Sequence, residues 1–298
     1  MEFNVDEARK KYELSDEDFF KKADEIFGQL ALTATAAKGT PKFIIVGGQA
    51  GSGKTSLVAK KNSELKENAI IIDQDEIRAS YPSKLYEEIV ENHDDREEYL
   101  ILKPFVLKMR QEIVNRALNG GYNVIMESAM QAVDSFIAQA DQFKTSGYET
   151  ELSVISVPEA DCFLSTLNRY CYYLEKDGIC RRNTKNDPEM LKKLRRNIVK
   201  LEDTGLFDNI DIHIRGEEAN VPPRKIYSKK ENSNETPLQA FDRGQVIALK
   251  TTGKTFDTRA QKIRMVLEQY DETEKLGQLD EIERQYNSSL GDRGDLDG

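Results

Sequence analysis

Gly48, Gly53, Lys54 and Thr55 stand at the spacing GxxxxGK[ST], within the run FIIVGGQAGSGKTS at positions 43–56. An apolar strand pattern precedes them and a helical pattern follows, which is the context that gives this spacing meaning. Gly51 and Gly53 permit backbone conformations and close approaches that a Cβ blocks. The backbone N–H groups of Gly48, Gln49, Ala50, Gly51, Ser52, Gly53, Lys54, Thr55 and Ser56 can then converge, with a helix N-terminus, on an anion. Lys54 supplies positive charge for β- and γ-phosphates, and the Thr55 hydroxyl is the expected Mg²⁺ ligand. The chemistry this predicts is binding of ATP with Mg²⁺. A glycine-rich turn that binds nothing would leave the lysine and threonine unexplained. The segment TTGKT at 251–255 also carries GKT, but Ala248 stands where the first glycine is needed, so it reads as coincidence.

Phosphoryl transfer also needs a base for the attacking hydroxyl and positive charge around the transferring group. The apolar run 70–72 leads into Asp73 and Asp75, and the run 123–126 leads into Glu127. Ligands bind at the carboxyl ends of the strands of an open parallel sheet. Asp75 is therefore the candidate base, with Asp73 orienting the site or the metal. Glu127 is placed to bind an acceptor hydroxyl or a metal-bound water. Solvated loop acids are the competing reading for each. Arg169 falls on a helical pattern, and Arg181 and Arg182 follow the turn signal Asp177-Gly178. Helix, turn and arginine pair suit a lid that closes over ATP and expels water. The bases Lys192, Lys193, Arg195, Arg196 and Lys200 read instead as a solvated helix face. No Asn-Lys pair occurs, which removes the guanine-reading signature of a GTPase.

The elements that must position these residues alternate from Pro41 onward. Runs 43–46, 70–72, 123–126, 152–157 and 210–214 read as strands separated by helices, the pattern of a mostly parallel α/β sheet with helices on both faces. Gly120-Gly121 ends the helix before the third strand. In residues 1–40, Ser15 and Asp18 resemble an N-cap, and Phe19, Phe20, Ala23, Ile26, Phe27 and Leu30 form one helical stripe. That stripe suits packing on the sheet edge better than covering the nucleotide site. After about residue 228 the rhythm weakens: SKKENSNETP reads as a loop, 258–285 as helix and SSLGDRGDLDG as a disordered tail. The expected division is an N-terminal helical segment at 1–40, a kinase domain at 41–228 and a C-terminal helical extension at 229–298.

Composition narrows the partners. A net charge of −10 over 298 residues argues against nucleic acid. No apolar run approaches the ~20 residues that span a bilayer, and the first residues lack a leader-like apolar stretch. Cys162, Cys171 and Cys180 show no CxxC and suit reduced thiols, so a cytoplasmic location is expected.

The segments GGQAGSGKTS, IIIDQDEIR, GYNVIMES, KTSGYETELSVISVP, STLNRY, CRRNTK, KLEDTGLF and KIYSKKENSNETP follow one another over roughly 41–230. In this ordered set the chain resembles the zeta toxin family, the kinase halves of bacterial toxin–antitoxin pairs. The resemblance implies a P-loop kinase-like fold with a helical lid. It implies transfer of phosphate from ATP to the sugar hydroxyl of UDP-N-acetylglucosamine, which starves peptidoglycan synthesis, and inhibition by a small helical antitoxin that occludes the ATP site. Position by position, Lys54 and Thr55 match the phosphate and Mg²⁺ residues, Asp75 the catalytic base and Glu127 a substrate carboxylate. Arg169 and Arg182 match arginines that contact phosphates. The departures fall on the acceptor side. Where the family has Glu-Gly-Thr-x-Arg, this chain has Glu127-Ser128-Ala129-Met130-Gln131, and a family glutamate aligns with Gln111, beside Glu112. Gln111 and Gln131 are thus candidate acceptor contacts. The acceptor is expected to be a nucleotide sugar, with another hydroxylated metabolite as the alternative. A nucleotide-binding regulatory module without acceptor chemistry is the reading from another class.

Overall fold

A computed structural model describes residues 3–178, 189–216, 221–232 and 234–291. Six strands form one sheet: β1 (Lys42–Gly47), β2 (Ile70–Ile72), β3 (Val124–Ser128), β4 (Glu149–Ser156), β5 (Asn209–Ile214) and β6 (Arg224–Ser228), in the order β2-β3-β1-β4-β5-β6. β2 pairs parallel with β3 and β4 parallel with β5. Positions 43–47 of β1 are a continuous apolar run and are buried, as a strand covered on both faces must be; all of β5 is buried as well, including Asn209, Asp211 and His213 of its alternating sequence. β6 joins β5 antiparallel and ends the sheet order. Its sequence, RKIYS, begins with two exposed cations and carries no apolar run, so the strand pattern passes over it.

Contacts divide the chain into two compact units: Met1–Ile45, Lys61–Ser128 and Gln139–Thr150, and Val46–Lys60, Ala129–Ala138 and Glu151–Gly298. In the first, α1 (Val5–Lys11) and α2 (Asp16–Leu30) pack on the long helix α6 (Asp95–Asn119). Ser15 caps α2 by accepting the Asp18 N–H at 3.1 Å, and the expected stripe buries Phe19, Ala23 and Ile26 but leaves Phe20 exposed. α2 is fixed to α6 by Lys108–Asp16 and Arg116–Asp24 ion pairs of 2.8 and 2.7 Å. Pro104 inside α6 has no N–H for the Leu100 carbonyl, and Arg9 Nε donates to that oxygen at 3.0 Å instead.

In the second unit, α10 (Pro237–Gln269) and α11 (Thr273–Gly291) form a hairpin against α8 (Glu159–Asp177). Leu164, Leu167 and Leu174 of α8 meet Phe256, Ile263, Leu267, Leu279, Ile282 and Tyr286 in one cluster, with Phe256 and Tyr286 stacked at 3.7 Å between centroids. The C-terminal part is more helical than its composition suggests. α10 begins at Pro237 rather than near 258, because Thr236 and Gln239 make a capping box and Pro237 occupies the first turn. The TTGKT segment lies inside this helix, with no strand before it. α11 runs through Gly291 and so takes in the start of the stretch expected as a disordered tail. No helix of the described residues is long and apolar enough to cross a membrane.

Candidate active site

The phosphate-binding loop leaves β1 and enters α3 (Lys54–Glu64). Gly51 and Gly53 have φ of +75° and +91°, the left-handed region that L side chains avoid. At Gly51 a Cβ would also lie 2.1 Å from the Cys162 carbonyl oxygen, so glycine is required both for conformation and for close packing on α8. The Ser52 N–H and the Lys54 ammonium converge on the Gln49 carbonyl oxygen at 3.2 and 2.9 Å. Lys54 therefore lies across its own loop. Gln49 and Ser52 are almost wholly buried, and Thr55 stands exposed in the first turn of α3. Behind the loop, burial pushes the Cys162 thiol up to about 12, and its S–H donates to Gln49 Oε1 at 3.3 Å. A thiol held protonated in this way supports the loop rather than acting as a nucleophile. Arg169 is exposed on α8. Arg182 and Arg181, with the expected lid turn, lie outside the described residues, as does Cys180.

The carboxylates belong to the other unit. Asp73 follows β2 and caps α4 (Gln74–Ala79), accepting the Asp75 N–H at 2.8 Å. Asp75 is exposed in the first helical turn, and Arg78 Nη2 donates to its Oδ1 at 3.0 Å. The guanidinium of Arg78 also lies 3.9 Å from Glu98, whose carboxyl burial pushes above the usual range. Asp73 and Arg78 thus fix Asp75 from both sides. Glu127 is half-buried near the end of β3. Gln111 is exposed on α6 and hydrogen bonds to Asn115 at 3.0 Å, while Glu112 is committed to Arg116 at 2.7 Å.

In the altered segment, Met130 has φ of +55° and is fully buried, and its carbonyl accepts from Asn197 at 2.6 Å. A Cβ on Gly47 would fall 1.9 Å from the Met130 sulfur, so this methionine packs directly on the start of the loop. Gln131 is exposed, and its Nε2 donates to the Ala129 carbonyl at 3.0 Å.

Several residues given no role in the sequence analysis contact Asp75 or the loop. Arg78 stands three positions after Asp75, a helical spacing readable from IIIDQDEIR. Arg215 directly follows β5 at its carboxyl end, the position that drew attention to Asp75, and donates to the Gly51 and Ser52 carbonyls of the loop. Its partners Asp161 and Ser165 on α8, and Arg259 on α10, come together only in the folded chain. Ser165 opens the segment STLNRY, but no motif announces Asp161 or Arg259.

The chain is similar to known proteins in family and in fold. The family profile described as Zeta toxin matches residues 28–227. A toxin zeta of Streptococcus pyogenes is 30% identical over 243 residues, covering 78% of this chain and 79% of that protein. The toxin PezT of Streptococcus pneumoniae serotype 4 is 32% identical over 196 residues, covering 65% and 74%. Among solved structures, one from the PezAT chromosomal toxin–antitoxin system of Streptococcus pneumoniae superposes with a TM-score of 0.73 at 24% identity, covering 88% of this chain and 100% of that one. At that identity the likeness establishes the fold.

Proposed function

The chain belongs to the zeta toxin family, and from that premise we propose that it is a toxin-type kinase. It would move the γ-phosphoryl group of ATP to a hydroxyl of a nucleotide sugar such as UDP-N-acetylglucosamine. The observation that supports this most is the ready-made anion cradle, with two left-handed glycines and the Lys54 ammonium reaching across it. Asp75 takes the proton of the acceptor hydroxyl as that oxygen attacks the γ-phosphorus; the bond to the bridging oxygen breaks, and ADP leaves with the electron pair. Lys54, Arg169 and Arg182 offset charge on the transferring group. Glu127, with Gln111 and Gln131, would orient the acceptor.

Thr55 suits Mg²⁺, which takes few protein ligands and relies on phosphate oxygens, because it is an exposed hydroxyl residue directly after Lys54. An ion held there would supply neutralisation of phosphate charge. A small helical antitoxin is the partner we propose, by analogy with the toxin–antitoxin system of the structural relative.

One observation favours a second reading of the acceptor. Ala129 and Gln131 lack the hydroxyl and guanidinium that the family places after its glutamate, and Gln131 instead turns back to the Ala129 carbonyl. Another hydroxylated metabolite is the acceptor if that change has rebuilt the pocket. Purified protein incubated with ATP, Mg²⁺ and a metabolite extract, read by mass spectrometry, separates these outcomes. A phosphorylated UDP-sugar supports the first reading and a different phosphoester the second. No new phosphorylated species would leave only a nucleotide-binding regulatory module.

A further inference from the structure

Arg215 grips the back of the phosphate-binding loop. Its Nη2 donates to the Gly51 carbonyl and its Nε to the Ser52 carbonyl at 3.3 Å. In a trans peptide C=O and N–H point opposite ways. Holding these two oxygens therefore turns the N–H groups of Ser52 and Gly53 away from Arg215 and toward the interior of the loop. The Ser52 N–H accordingly donates to Gln49 O at 3.2 Å, next to the Lys54 ammonium.

Arg215 is itself held. Its Nη1 reaches Ser165 Oγ at 3.0 Å and the fully buried Asp161 at 3.4 Å. Arg259 binds the same pair, Asp161 Oδ1 at 2.5 Å and Ser165 Oγ at 2.7 Å, while the Ser165 hydroxyl donates to the Asp161 carbonyl at 2.8 Å. Ser165 Oγ is thereby saturated, with one bond donated and two accepted. A guanidinium fork shared between a carboxylate and a hydroxyl gives fixed geometry as well as attraction. Arg259 sits on α10, which starts at Pro237, beyond the residues 28–227 that match the family profile.

We infer that Arg215 is a positioning residue that orients the loop's N–H groups for the nucleotide phosphates, and that Arg259 acts through it. The C-terminal extension thereby tunes nucleotide affinity. The inference rests on the proposed function, so the first measurement is direct titration of the wild-type chain with Mg·ATP.

Loss of a charge-assisted contact that orders the site should weaken nucleotide binding by about tenfold to a hundredfold. Arg215→Ala is expected to raise the ATP Kd and KM by that factor with a smaller change in kcat, and Arg215→Lys to restore part of it. Arg259→Ala should raise KM several-fold in the otherwise wild-type chain and hardly at all in the Arg215→Ala background. Denaturation midpoints accompany each variant, and Arg259→Lys replaces Arg259→Ala if the latter does not fold. Unchanged ATP affinity in Arg215→Ala would overturn the inference while leaving the kinase reading intact. An equal effect of Arg259→Ala in both backgrounds would overturn its action through Arg215. A wild-type chain that binds no Mg·ATP would overturn the proposed function and this inference together.

Discussion

Lys54 Nζ donates to the Gln49 carbonyl oxygen at 2.9 Å, so the ammonium rests against the backbone of its own loop. The loop already holds its left-handed glycines and its lysine in place, so on the proposed function a nucleotide would only exchange one oxygen for another at the ammonium. Preorganisation of this kind lowers the ordering cost of binding.

The first prediction follows from that contact. Lys54→Ala removes a half-buried side chain from the first position of α3 rather than from the core. Its melting temperature should stay close to wild type while phosphoryl transfer falls by ~10²-fold or more, the scale of losing one preorganised charge contact. Turnover near wild type with normal ATP affinity would remove lysine from the mechanism.

Gly51→Ala should be worse than its size suggests. The new Cβ would meet the Cys162 carbonyl at 2.1 Å on a backbone at φ +75°. Gly121 has φ +64° with open space around it, so Gly121→Ala carries the conformational cost alone, about 1–2 kcal/mol. Thermal melts of the two variants should rank Gly51→Ala as the less stable. ATP titration should show weakened binding for Gly51→Ala and unchanged binding for Gly121→Ala.

Asp75→Ala separates binding from chemistry. Asp75 is held by Asp73 and Arg78. ATP should still bind, whereas transfer should fall by ~10²-fold, the usual scale of general-base help. Weak ATP binding with unchanged turnover would instead put Asp75 on the nucleotide side.

The place of the loop between β1 and α3 and of Asp75 just after β2 could be read from sequence because each is local. A glycine pattern needs only its flanking strand and helix, and an acid after an apolar run needs only that run. Arg215, Asp161 and Arg259 meet from β5, α8 and α10, and no local spacing records such a meeting. The early start of α10 was written locally in Thr236, Pro237 and Gln239, but the polar stretch before it masked the signal. β6 was hidden for the opposite reason, since a strand at the end of the sheet order needs no apolar run.

Residues 1–36 should prove structural. α2 buries Phe19, Ala23 and Ile26 and makes two ion pairs to α6. Burying one large apolar side chain contributes about 1.5–3 kcal/mol. A chain lacking these residues should be insoluble or melt well below wild type. A soluble, folded and more active truncation would assign the segment to autoinhibition.

Ala129 and Gln131 set the acceptor prediction. A missing charge-assisted hydrogen bond costs about 1.5–3 kcal/mol, roughly ten- to a hundredfold in affinity. UDP-N-acetylglucosamine should therefore show a high KM, and Ala129→Thr with Gln131→Arg should lower it. A low micromolar KM in the wild type, or a double variant no better than wild type, would contradict this.

The most direct test of the central claim is a phosphoryl-transfer assay on purified protein with ATP, Mg²⁺ and UDP-N-acetylglucosamine, following ADP release and the mass of the sugar nucleotide together. The account predicts ADP released in step with a UDP-sugar that gains one phosphoryl group, both lost in Lys54→Ala and in Asp75→Ala. Tight ATP binding with no phosphorylated product, from this sugar or from a metabolite extract, would contradict it.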